Sequence, residues 1–487
     1  MKHKGPGRKS LGLFVASSLR YNIVMTHVRH LAFLSLFVPV FAFAAPENKS
    51  EFNLAAKDIF FQPGGGIRLR YENLREATGG AFSSNESEAK ATHRAQFDFK
   101  LYKGEYFETF FRLLHVDEWG SSSSANGDSS PGTKDGFTSD NALLVNQAYG
   151  LWKVSDSLGL QFGRSPIKLG RGLTYGENDW FNVPTTFDNF AIKWDWEVME
   201  FSAIAAKTRD LSPVAGQTLS PDPEENHYIL DFDIKNMSDS ISVFDIHFAQ
   251  VNRDEGSADG GTTVLSGLNM QRFAFDFEYR SRSFYTSLFA SYVSGKERAA
   301  GSMDLTIKQI AGDLEVGYIL ADTSQLHFWA GFHHDSGDKD ATDSTSETYD
   351  SFYYDVYGRS GRMDLLRWGN LNFYRLGLDA KLFTNVTLGG EWLSFRKTEQ
   401  NGGLVFGAAG AFLNSNISSG NMTLATETNI GEEFDIWLDV DFTSGVFFRA
   451  TFTTFFPGAV FEKATTTSGN SASNTMYQGL TQVGFFF

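Results

Sequence analysis

The fold class is predicted most directly by the closing stretch of the chain, Tyr477-Gln478-Gly479-Leu480-Thr481-Gln482-Val483-Gly484-Phe485-Phe486-Phe487. Every second residue back from Phe487 belongs to a largely apolar face with an aromatic side chain at each end, whereas Gln478, Gln482 and Gly484 occupy the other face. This alternation predicts a strand with lipid on one side and water on the other. Such a strand must belong to a closed barrel, because an open sheet edge in hydrocarbon leaves backbone groups unpaired.

The composition suits many strands joined by turns. The chain of 487 residues has 47 Phe and 47 Gly but only 11 Pro. It has no Cys, which excludes disulfides, thiolate metal sites and a thiol nucleophile. The mean hydropathy of −0.25 is low for a membrane protein, but alternate strand residues of a barrel face water. No apolar run reaches the ~20 residues that a spanning helix needs.

The beginning of the chain predicts a leader. An apolar run at residues 31–45 follows basic residues and contains Ala42-Phe43-Ala44, the small-x-small pattern of a signal-peptidase site. A transit peptide is the alternative. The predicted organisation is an upstream extension from a misassigned start at 1–24, a secretory signal peptide at 25–44 and one barrel domain at 45–487.

The rest of the chain divides into about eighteen strand-like segments, each near the ~9–11 residues that cross a bilayer as a tilted strand. In one of them Phe273, Phe275 and Phe277 alternate with Arg272 and Asp276. Short and long connections also alternate along the chain, as short periplasmic turns and long external loops do. We therefore predict an all-β fold, a transmembrane antiparallel β-barrel in a single domain. A β-sandwich also alternates, but its strands are shorter and its apolar face points inward.

Three stretches resemble the alginate export family of outer-membrane barrels. They are Gly163-Arg164 with Gly170, Gly172, Asn178-Asp179-Trp180 and Thr186-Phe187-Asp188; Ser336-Gly337-Asp338-Lys339 with Gly369-Asn370-Leu371; and Gly431-Glu432-Glu433-Phe434-Asp435. The resemblance implies eighteen strands, an arginine-rich lumen for an acidic polysaccharide and infolded segments that narrow the pore. It also implies the outer membrane of a Gram-negative bacterium, with Phe487 as the signal for the barrel assembly machinery. Ser165-Pro166 departs from the family pattern, which bears on the substrate more than on the fold.

Basic side chains occupy predicted lumen positions. They are Arg68, Arg70, Arg94, Lys100, Arg112, Lys193, Arg375 and Arg449. Arginine suits the passage of carboxylates, because its planar guanidinium pairs with them and a series of such sites gives several weak binding steps. We expect these side chains to face water and to favour anions. Two alternatives stay open: the arginines pair with Glu72, Asp98 and Glu108 and only hold the wall, or acidic strands make the pore general or cation-selective, in keeping with the net charge of −16.

The connection from Gly163 to Asp188 has too many apolar and aromatic residues for a solvated loop. We expect it to fold against the mouth or lumen of the barrel and to narrow the pore. The predicted constriction residues are Arg164, Lys168, Arg171, Asp179, Trp180 and Asp188.

No enzyme, cofactor or metal site is predicted. The remote alternative is a barrel lipid hydrolase, for which His333, His334 and Ser336 are the candidates, but adjacent strand residues point to opposite faces and no orienting carboxylate is evident. The expected partners are outer-membrane lipid, lipopolysaccharide and an anionic polysaccharide or small anions as cargo, with no nucleic acid.

Overall fold

The computed structural model describes residues 52–53, 59–76, 88–119, 143–210, 224–235, 241–253, 256–258, 263–265, 267–298, 304–320, 325–340, 342–355, 357–406, 427–443, 445–463 and 475–487. The predicted upstream extension and signal peptide lie outside these residues.

Eighteen strands form one antiparallel barrel. They are β1 Ile59–Glu76, β2 Glu88–Lys103, β3 Phe107–Glu118, β4 Leu143–Lys153, β5 Leu158–Ser165, β6 Phe187–Trp196, β7 Met199–Asp210, β8 Glu224–Ile234, β9 Ile241–Arg253, β10 Gly267–Arg280, β11 Phe284–Arg298, β12 Asp304–Leu320, β13 Leu326–Asp335, β14 Leu371–Phe383, β15 Val386–Lys397, β16 Asn429–Thr443, β17 Val446–Pro457 and β18 Met476–Phe486. Each pairs with the next, and β18 pairs with β1 from Gly66 opposite Phe486 to Glu76 opposite Met476. The predicted closed barrel of eighteen strands is confirmed.

The alternation read from the sequence corresponds to the two faces of the wall. On β10, Phe273 is 51% exposed on the outer face, whereas Arg272 and Asp276 are each 1% exposed and point inward. On β16, Phe434 and Ile436 face outward while Glu433 and Asp435 are buried inside. Side chains alternate because successive strand residues point to opposite faces, so one apolar residue in two suffices to coat the barrel with a surface for lipid.

Short elements accompany the barrel. Phe52–Asn53 pairs with β1, Gly256–Ala258 with Thr263–Leu265, and Thr345–Ser346 runs parallel to part of β12. A single helical turn, α1 at Ala459–Lys463, follows β17. No helix in the described part of the chain has the length and apolar character needed to cross a bilayer.

The hydrophobic core lies inside the barrel. Among the described residues, two connections supply most of its loop side chains: segment 1, residues 166–186 between β5 and β6, and segment 2, residues 336–370 between β13 and β14. Leu173 of segment 1 and Trp368 of segment 2 belong to one buried cluster with inward strand residues such as Phe289. Leu169 and Tyr175 pack with Tyr353 in a second cluster. Both segments therefore place apolar side chains inside the lumen.

Candidate permeation pathway

Segment 1 folds into the lumen, as its apolar content predicts, and binds segment 2 there. Tyr175 and Tyr353 form a parallel bridge, and the Gly176 N–H donates to the carbonyl of Tyr353 at 2.8 Å. The Asp355 N–H in turn donates to the carbonyl of Gly172 at 2.8 Å. Burial raises the pKa of the Tyr175 hydroxyl. These contacts make the two segments one plug.

Arginines from β1 and β2 hold segment 1 by its backbone carbonyls. Arg68 donates to the carbonyl of Asp179 at 2.6 Å and to that of Phe181 at 2.7 Å. Arg70 donates to the carbonyl of Trp180, and Arg94 donates to that of Phe181 at 3.2 Å. Loop carbonyls inside a barrel lack a sheet partner, and these guanidiniums satisfy them.

The expectation that these arginines face water holds for only part of the set. Arg68, Arg70 and Arg94 are 3%, 7% and 2% exposed, because segment 1 covers them. Arg112 is more accessible and forms a two-bond pair with Asp98, with both N–O distances at 2.8 Å. Arg68, Arg70, Arg94 and Arg112 are called the basic wall below.

The remaining predicted basic residues all lie on inward faces. Lys100 pairs with Glu108 at 2.8 Å, and Arg449 lies 3.7 Å from Asp439. Lys193 is half-buried. Arg375 is 7% exposed and pairs with Asp313 at 2.8 Å and with Glu315 at 3.0 Å. The alternative in which basic residues only hold the wall required ion pairs with Glu72, Asp98 and Glu108. These carboxylates do pair, in that order, with Arg70, Arg112 and Lys100.

Carboxylates on the other strands hold the plug by its backbone N–H groups. Asp276 accepts from the Arg171 N–H at 2.7 Å, and Glu433 accepts from the Met363 N–H at 3.0 Å. Asp335 accepts from both Gly369 and Leu371, at 2.9 and 2.6 Å, and so closes the base of segment 2. Arginines in the lumen therefore bind backbone carbonyls, and carboxylates bind backbone N–H groups, because a guanidinium can only donate hydrogen bonds and an ionised carboxylate can only accept them.

Of the predicted constriction residues, one group belongs to segment 1 and the other to the strands on either side of it. Arg171 binds Asp276 at 2.6 Å between Gly170 and Gly172, whose φ angles of 50° and 77° suit glycine. Trp180 and Asp179 also lie in the lumen, where Asp179 pairs with Arg94 at 2.9 Å. Lys168 is exposed.

Arg164 and Asp188 differ from the expected placement. They pair with each other at 2.8 Å across β5 and β6, on the outer face at the long-loop end of these strands. Their neighbours Ser165 and Phe187, each 1% exposed, take the inward positions. Both belong to strands, so the period of two sends them outward and away from the constriction.

The first part of segment 2 is rich in Asp and Ser, a composition typical of a solvated loop, so the sequence does not identify this segment as one that enters the lumen. Asp340 and Asp343 are exposed, but Tyr349 of the same segment is 1% exposed. The apolar residues Met363, Leu365 and Trp368, all buried, carry the same signal that identified segment 1. Arg359 of segment 2 donates to the carbonyl of Arg171 at 2.9 Å, and burial together with Arg171 lowers its pKa.

The residues proposed for a hydrolase do not come together. His333 points inward between Asp313 and Asp335, with N–O distances of 3.3 and 3.0 Å. His334 binds Asn372 at 2.7 Å, and the Ser336 hydroxyl donates to the carbonyl of Glu347 at 2.6 Å. Neither histidine is positioned to activate Ser336 as a nucleophile.

Comparison with known proteins agrees with this architecture. Residues 62–474 match the family model described as alginate export. No curated protein matches the chain.

Solved porins share the barrel at low sequence identity. OccK8 (OprE) of Pseudomonas aeruginosa is 12% identical with a TM-score of 0.52, and the match covers 87% of this chain and 98% of that one. OpdK of the same organism, solved with vanillate, is 13% identical with a TM-score of 0.51 and coverages of 87% and 98%. OccK2 (OpdF), also from that organism and solved with glucuronate, is 10% identical with a TM-score of 0.50 and coverages of 87% and 96%.

Proposed function

Because this chain belongs to the alginate export family of outer-membrane channels, we propose that it passes carboxylate-bearing carbohydrate along its basic wall. The observation that carries the proposal is the convergence of Arg68, Arg70, Arg94 and Arg112 from three neighbouring strands on one side of the lumen. Contact with lipopolysaccharide and recognition of Phe487 by the assembly machinery stay predictions from the sequence.

The charges of the basic wall act together. Neighbouring strands are ~4.8 Å apart, within the Debye length of ~8 Å at physiological salt, so the potentials of these side chains add to one another and to those of the carboxylates of Glu72, Asp98 and Asp179 that pair with them. Hydrogen bonds from Arg68 to backbone carbonyls leave its charge in place, and no described carboxylate comes within 4 Å of its guanidinium. The accessible Arg112 and Arg449 would then be the groups that meet a passing carboxylate.

A second candidate is a general or cation-selective pore. It rests on the carboxylates of the opposite strands, among which Glu315 and Asp439 are partly accessible. Both candidates are channels, and they differ in the sign of their selectivity.

The sign of the reversal potential across a salt gradient distinguishes them. Full-length protein in a planar bilayer should show anion preference, and added oligouronates should block the current at lower concentration than neutral oligosaccharides of equal length. Glucuronate and vanillate, found with the two porins above, are suitable small probes. Cation preference together with equal block by both sugars would refute the proposal and favour the second candidate.

A further inference from the structure

Three side chains with metal-binding atoms lie together on β8 and β9. Asp231, Asp245 and His247 each offer one ligand atom, and these atoms all lie within 4.8 Å of one another. His247 is directly opposite Asp231 in the register, and Asp245 precedes it on the same face. The three residues are 7%, 1% and 1% exposed, so water does not solvate the cluster freely.

One carboxylate oxygen of the cluster lacks a hydrogen-bond partner. Asp245 accepts from the Gly170 N–H at 3.1 Å and lies 2.7 Å from His247 Nδ1, whereas the buried Asp231 Oδ1 has no hydrogen-bond partner. The adjacent Asp276 is already bound by Arg171. A buried carboxylate oxygen without a hydrogen-bond donor is unfavourable unless a cation or a proton binds it.

We propose that Asp231, Asp245 and His247 bind one divalent transition-metal ion of the zinc or manganese class. Imidazole with carboxylates favours such ions over calcium and magnesium, which prefer oxygen alone. The ligand atom of His247 is Nδ1, because Nε2 lies 2.7 Å from the Thr174 hydroxyl and can donate its proton there. Two ligands with bonds of ~2.1 Å are separated by ~3.0 Å at a right angle and by ~3.4 Å at the tetrahedral angle, so the 2.7 Å between Asp245 Oδ1 and His247 Nδ1 has to lengthen by a few tenths of an ångström when the ion binds.

The ion fastens the plug to the wall. Two of its three protein ligands also bind segment 1, Asp245 through the Gly170 N–H and His247 through Thr174. Metal ligation fixes the orientation of both side chains, so segment 1 stays seated on β9 more firmly when the ion is bound. Thr174 is a positioning residue, and Thr174→Val should weaken zinc binding by about 10- to 100-fold.

Metal content of the full chain tests the site. Protein purified in detergent is treated with chelator, dialysed against equal zinc and manganese, and analysed by mass spectrometry for metal per chain. We expect one ion for the wild type and for Asp439→Asn, an inward aspartate on β16 that serves as the matched control, and none for Asp231→Asn or His247→Gln. A wild type that retains no more metal than Asp231→Asn would overturn the proposal and leave a proton shared by Asp231 and Asp245.

Two further measurements keep the test independent of variant folding. Folding of each variant is checked by the shift in electrophoretic mobility on heating. Cobalt added to the wild-type chain should give visible ligand-field bands that zinc abolishes at one equivalent. Absence of these bands in folded wild-type protein would also count against the site.

Discussion

Trp180 of segment 1 stacks on Tyr357 of segment 2, with ring centroids 3.4 Å apart and ring planes 13° from parallel. The guanidinium carbon of Arg70 lies 4.0 Å from the centre of the same indole ring. One side chain therefore joins the barrel wall to both parts of the plug. Aromatic stacking and a cation over the ring together contribute about 1–3 kcal/mol to keeping the plug in place.

Removal of residues 169–180 should raise the single-channel conductance, because this part of segment 1 occupies the lumen. The milder Trp180→Ala should increase current fluctuations by loosening the plug. Trp194→Ala, which truncates an indole that is 43% exposed on the outer face, is the control and should leave the current unchanged. Equal conductance for the deletion and the wild type would show that segment 1 does not limit the current.

Tyr175→Phe should destabilise the folded barrel by about 0.5–1.5 kcal/mol. The Tyr175 hydroxyl lies 2.6 Å from His227 Nδ1, and the variant loses this buried hydrogen bond. The free energy of unfolding in urea, measured in lipid vesicles, gives the cost. Tyr292→Phe removes a hydroxyl from a residue that is 50% exposed on the outer face and should have little effect. Equal costs for the two variants would contradict the role assigned to Tyr175.

Asp335→Asn should free the base of segment 2. The aspartate accepts two backbone N–H groups, one on each carboxylate oxygen, and also contacts His333, but an asparagine has only one oxygen. We expect a protease to cleave within residues 336–370 faster than in the wild type, while the amount of folded β-structure stays unchanged. Asp304→Asn, at the outer rim of β12, is the control. Cleavage at the wild-type rate would argue that other contacts hold this segment.

Charge changes at Arg112 and Asp98 should move the selectivity in opposite directions. Arg112→Gln removes an accessible positive charge and lowers anion preference, and Asp98→Asn raises it. The double variant restores the net charge and should return near the wild-type reversal potential. Lys308→Gln removes a positive charge from the outer face and should leave the reversal potential unchanged. If the reversal potential shifted in the same direction in both single variants, a local electrostatic effect of this ion pair would be excluded.

Phe273→Arg should destabilise the barrel by about 2–4 kcal/mol, because Phe273 lies near the middle of β10 on the lipid face. Asn269→Arg places the same side chain on the same face near the end of the strand, where the cost is about 0–1 kcal/mol. Unfolding in urea measures both. Equal costs would mean that residue 273 does not lie at membrane depth.

The amino-acid sequence alone was enough to predict the strands, the faces of their side chains and the closure of the barrel. A period of two is a local property, so Phe273 and Arg272 reveal their sides without reference to any other strand. The alternation of short and long connections predicted the strand topology, because the length of a connection can also be counted along the chain without reference to distant residues. The apolar content of segment 1 also sufficed to predict that it leaves solvent.

The roles of the charged residues in the lumen depend on contacts that exist only in the folded barrel. Arg94 and Arg112 look equivalent in the sequence, yet one is covered by the carbonyls of segment 1 and the other pairs with Asp98 in an accessible place. Arg164 follows the family-like Gly163 but faces outward, because β5 extends to Ser165. The partners of a buried charge come from residues distant in sequence, and closure of the barrel around the two segments selects them.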